Sequence, residues 1–223
     1  MRASAQTRQA GLTVATALLA LATASCGTGG DGGTDARQPT SSASATTTEH
    51  GTEAAYDAGW RAGKRIFEDG GKGSSVREVV WGGCVRRSLT AQPRAVVEED
   101  RGAWVLGCKQ GVGTGEDRHP PAHQVTRREP APDLMPRFRS WAATHGARQP
   151  AGHADRTVLV HLGARDYDVE LTTTYTGETP KPEVKRLADT FATWWDGDDG
   201  EDSTAWNLIL LDKAGNRLTT RDL

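Results

Sequence analysis

"RTVLVHLGARDYDVELTTTY", residues 156–175, carries the clearest strand pattern in the chain. Val158, Val160 and Leu162 recur at every second position, and so do Tyr167, Val169 and Leu171 beyond "GARD". Period-two alternation on both sides of a short glycine-containing turn reads as two paired strands. Upstream, Asp133 can cap a helix over "LMPRFRSWAATHG", with Leu134, Phe138, Trp141 and Ala142 on one face. Downstream, "TPKPEVKRLADTFATWWDG" lines up Val184, Leu187, Ala188, Phe191, Trp194 and Trp195, between a capping Thr179 and a terminating Gly197. "TAWNLILLD" reads as a central apolar strand, and "KAGN" turns it into a last strand, "RLTTRDL". The order α-β-β-α-β-β predicts an α+β domain over residues 133–223. Its expected form is two layers, an antiparallel sheet with helices on one face.

Residues 113–132, "GTGEDRHPPAHQVTRREPAP", hold prolines and charges with almost no apolar periodicity, and read as a linker. Residues 53–112 read as a helical module. Tyr56, Trp60, Gly63 and Phe67 recur at helical spacing up to Gly70-Gly71. Gly59 and Gly63 each disfavour a helix interior by about 1 kcal/mol, and suit a close approach by another backbone. "SVRE" predicts a capping box, with Ser75 as cap and Glu78 reaching back, and Val76, Val79, Val80 and Cys84 on the packed side. A third helix opens at Pro93 and carries Val97, Arg101, Trp104 and Cys108. A Cys84–Cys108 disulfide would staple the second helix to the third, as a stapled helical hairpin. Two buried free thiols are the alternative.

The cysteine count bears on that choice. The chain begins with Arg2 and Arg8, then the uncharged "AGLTVATALLALATA", residues 10–24. A basic start, a short apolar core and small residues at its end predict an export signal over residues 1–25. Two cleavage readings follow. Ala22-Thr23-Ala24 fits ordinary secretion with cleavage before Ser25. "TASC" resembles the lipobox of bacterial lipoproteins, with Thr23 where that motif usually has Leu. The resemblance implies an acylated Cys26, a palmitate-type lipid anchor and a place on the outer face of the cell membrane. Residues 26–52 are rich in Gly, Ser and Thr and read as a flexible tether of about 30 Å typical span. With Cys26 lipidated, Cys84 and Cys108 remain as an even pair in an oxidising compartment.

"YDAGWRAG" ahead of a first cysteine, and "AWVLGCKQG" around a second, are similar to an element of exported actinobacterial (Streptomyces-type) lipoproteins. The arginine-rich, lysine-poor composition agrees with that origin. The resemblance implies a shared fold and location and carries no activity.

A net charge of -2 points away from nucleic acid. The acidic run "DGDDGED", residues 196–202, lacks EF-hand spacing: Gly200 falls at a ligand position and Asn207 replaces the closing glutamate. His119 and His123 are separated by two prolines and read as loop residues rather than a metal pair. "GVGTGED" lacks the Lys-Ser/Thr of a phosphate loop, and Ser140, His145 and Asp155 have no triad spacing. No catalytic residue, metal ligand or cofactor is expected. The residues point to a lipid-anchored protein with a non-enzymatic binding or scaffolding role, its sheet domain engaging an envelope protein or glycan. The alternatives are an envelope hydrolase whose site is scattered in sequence, and a freely secreted protein of the same fold. Exposed tryptophans would favour binding over a spacer role.

Overall fold

The computed structural model describes residues 42–113, 117–195 and 203–223. It is an α+β fold around a five-stranded mixed sheet. The strands are β1 (Arg127–Pro130), β2 (Ala154–His161), β3 (Asp166–Thr173), β4 (Thr204–Leu211) and β5 (Arg217–Asp222), adjacent in that order. The helices are α1 (Ser42–Val79), α2 (Gly83–Ser88), α3 (Arg94–Glu99), α4 (Arg101–Gly111), α5 (Leu134–Thr144), α6 (Arg148–Ala151) and α7 (Lys181–Trp194). Among the described residues no helix is long and apolar enough to cross a membrane. Ser41–Leu223 form one compact unit.

The expected all-antiparallel sheet is corrected. β3 and β4 run parallel, and the other pairs are antiparallel. The reason is the connection. α7 is 14 residues long and travels about 21 Å, close to the length of an eight-residue strand, so β4 starts at the end where β3 started.

The expected single helical face is corrected too. Register decides it: Val160 stands opposite Asp168, and Leu159 opposite Val169. The alternating apolar sets of these two strands therefore point to opposite faces, and each needs its own cover. On one face Val169, Leu171, Leu208 and Leu210 pack with Phe138, Leu187 and Phe191 from α5 and α7. On the other, Val160 and Leu162 pack with Tyr56, Val97, Trp104 and Val105 from α1, α3 and α4. The 53–112 stretch and the sheet thus share one core.

α1 and α4 approach closely because both lack side chains at the seam. A Cβ on Gly59 or Gly63 would overlap the carbonyl oxygens of Trp104 and Cys108, and one on Gly107 or Gly111 those of Tyr56 and Trp60. Cys84 and Cys108 form the disulfide, joining α2 to α4. Gly71, with φ 60°, interrupts α1.

Inside the stretch expected to be a linker, Arg127–Pro130 forms β1. Asp100 holds its approach. The buried carboxylate accepts from Thr52 Oγ1 (3.0 Å), Ala103 N (3.1 Å), Val125 N (2.8 Å), Thr126 N (2.9 Å) and Thr126 Oγ1 (2.7 Å). It caps α4 and fastens the lead-in to β1 with one side chain.

Candidate functional site

The sheet face beneath α1 and α4 is only partly covered. Beyond the helices it forms the floor of an open groove of about 1030 Å³. Val158, Val160, Ile209 and Leu211 supply an aliphatic floor, interrupted by Thr172 and Glu170. One wall is the chain from Ser88 to Glu98, around α3; another is the β4–β5 turn, 212–217. Arg217 Nη1 donates to Leu89 O across 3.0 Å and ties the two walls. The turn itself is set by Asp212, whose carboxylate accepts from Ala214 N, Asn216 N and Asn216 Nδ2. The Asn216 side chain leads those hydrogen bonds in holding the Asp212 carboxyl below its ordinary range.

Six basic side chains line the groove: Arg94, Arg101, Arg128, Arg156, Lys213 and Arg217. Three are neutralised. Arg94 pairs with Glu98, Arg128 with Glu170, and Arg101 with Asp168 at 2.6 Å. Arg156, Lys213 and Arg217 have no carboxylate partner among the described residues. Arg156, Thr172, Leu211 and Arg217 form one cross-strand row at the open end of the sheet. Two arginines thus flank a threonine and a leucine, with three inter-strand steps, about 14 Å, between their backbones.

Behind the lining Arg101 lies Asp168, fully buried and outside the groove itself. Its Oδ1 accepts from Asn207 N (3.1 Å) and Nδ2 (2.7 Å), and its Oδ2 from Arg101 Nη2. Burial pushes its carboxyl up, and Arg101 and Asn207 oppose that without cancelling it. Arg101 therefore links α4 to the sheet floor, as Lys109 does through Asp166 at 2.7 Å. What this arrangement can do chemically is hold an anion above an aliphatic surface.

The residues singled out by sequence fall elsewhere. Cys84 and Cys108 are joined; Cys26 and the acidic run 196–202 lie outside the described residues. His119 donates its backbone N–H to Tyr56 Oη, His145 stacks on Trp141, and His153 stacks on Tyr175. Among the described residues no three His, Cys, Asp or Glu side chains gather to hold a metal. Trp195 packs against Phe191, whereas Trp81 is 62% exposed. Sequence reading passed over Arg156, Lys213 and Arg217. They are far apart in sequence; strand register brings Arg156 and Arg217 into one row, and the β4–β5 turn adds Lys213. Compared with family models, curated proteins and solved structures, the chain matches none.

Proposed function

We propose that this chain is an extracytoplasmic binding lipoprotein, anchored to the membrane by a lipid on Cys26, whose groove engages a component of the cell envelope. The observation that carries the binding role is the half-covered sheet face, aliphatic below and cationic at its rim. A sheet face that served only packing would be covered or polar. The anchoring part rests on the basic start, the short apolar core and the "TASC" motif.

Membrane partitioning and intact mass of the native protein, beside Cys26→Ala, test the address. The native form is expected in the membrane fraction with a diacylglyceryl cysteine, and the variant in the soluble fraction. Both forms soluble and starting at Ser25 would make the protein freely secreted. Rebinding to envelope preparations from cells that lack this chain tests the groove. The native groove is expected to be retained and the Arg156→Glu/Lys213→Glu double variant released. Equal retention would end the groove's role.

A further inference from the structure

Resting on the binding role proposed above, we infer that the groove takes an extended acidic segment of a partner protein, with acidic side chains four residues apart over Arg156 and Arg217 and an aliphatic side chain between them on Leu211. Charge selects the sign. Three lining cations lack a carboxylate partner among the described residues, and no lining acid is left over: Glu98 and Glu170 are paired, and Asp212 is occupied by its turn. Spacing selects the form. The arginine row spans about 14 Å, and an extended chain covers about 13 Å in four residues, with positions one, three and five on the same side. Composition selects the class. None of the lining side chains is aromatic, so the flat faces on which sugar rings stack are missing. The floor is broken by Thr172 and by the Arg128–Glu170 pair, so a continuous acyl chain would bury polar groups. An extended peptide alternates polar and apolar groups and can satisfy both. The rim supplies Thr90, Gln92 and Asn216 for its backbone.

The test titrates the ¹⁵N-labelled exported chain, carrying Cys26→Ala, with the peptide acetyl-Glu-Ser-Leu-Ser-Glu-amide and with its Gln-for-Glu counterpart. The acidic peptide is expected to shift the amide signals of Arg156, Thr172, Leu211 and Arg217. Binding is expected to weaken roughly tenfold or more for the neutral peptide, and likewise for Arg156→Glu/Lys213→Glu. Arg156→Gln serves as a milder variant, and Arg148→Glu, on α6, should leave binding unchanged. Equal binding of both peptides, or no loss in the variants, overturns the acidic preference and leaves the groove a binding site. Shifts at the same residues with octanoate or heparin but not with the peptide overturn it in favour of a lipid or a glycan. If no probe moves these signals, the groove's binding role falls with it.

Discussion

Glu78 shows how one residue answers to tertiary context. Its spacing from Ser75 suggests a capping partner, yet Ser75 Oγ donates to Val112 O, and Glu78 is buried between two arginines. Arg87 donates to it at 2.9 and 3.1 Å, and Arg77 at 3.2 Å. Burial alone would raise its carboxyl. Hydrogen bonds and charge from Arg87 and Arg77 outweigh that and leave it below its ordinary value of 4.5. A depressed folded value means the stabilisation is present above the unfolded value and is lost as pH falls through the folded one. Glu78→Gln is expected to cost about 1–2 kcal/mol at neutral pH and nothing at the acid end, so urea midpoints of the two proteins should converge as pH drops below about 4. Gly59 is a second residue whose role depends on its packing partner. Its missing Cβ is what lets the Trp104 carbonyl sit against α1. Gly59→Ala should lose about 2–3 kcal/mol of unfolding free energy in urea, although alanine is the better helix former by about 1 kcal/mol. A neutral or stabilised Gly59→Ala would mean the helices can separate at no cost.

Among the elements, β1 depends most on a single anchor. Four exposed residues ending in a proline make a weak edge strand. Its lead-in is held by Asp100, which also caps α4. Asp100→Ala removes the cap and leaves buried donors unpaired, at a cost of about 2–4 kcal/mol. Amide hydrogen exchange should accelerate at Val125, Thr126 and the β1 residues before the rest of the sheet responds. Uniform acceleration across the sheet would show that β1 is no separate unit. The end of α1 behaves differently. Val76, Val79 and Val80, expected on a packed face with Cys84, are exposed, as is Trp81, whereas Cys84 is buried. Gly71 breaks the helix before them, so the phase carried by Tyr56 and Trp60 does not extend to that turn.

In the whole molecule, the helical stretch is bound to the sheet by shared packing, by Arg101–Asp168 and Lys109–Asp166, and internally by the disulfide. The bond joins residues 24 apart. Closing such a loop stabilises by roughly 3 kcal/mol in the chain-entropy model. Reduction with a thiol is therefore expected to lower the urea midpoint and loosen α2 against α4, while α5, α7 and the sheet face they cover stay protected from exchange. An unchanged midpoint on reduction would assign all the hold on α2 to packing.

Most of the long elements and their chemistry were legible in the chain, whereas β1 and the break at Asp100 between α3 and α4 were not. The strands of residues 156–175 and 204–211, the α7 stripe, the two-cysteine staple and the close approach at Gly59 and Gly63 all follow from local periodicity, propensity and parity. The parallel pairing was also within reach, since a helix of strand length between two apolar strands reads as a crossover. Whatever depends on register arises only when the strands pair. A one-residue choice in pairing β2 with β3 sends their apolar sets to opposite faces, creates the second core, and leaves part of that face uncovered. The same choice gathers Arg156 and Arg217, 61 positions apart, into one row. Long-range pairing carries no periodic signature in the chain, so the groove came into view only once the strands were side by side.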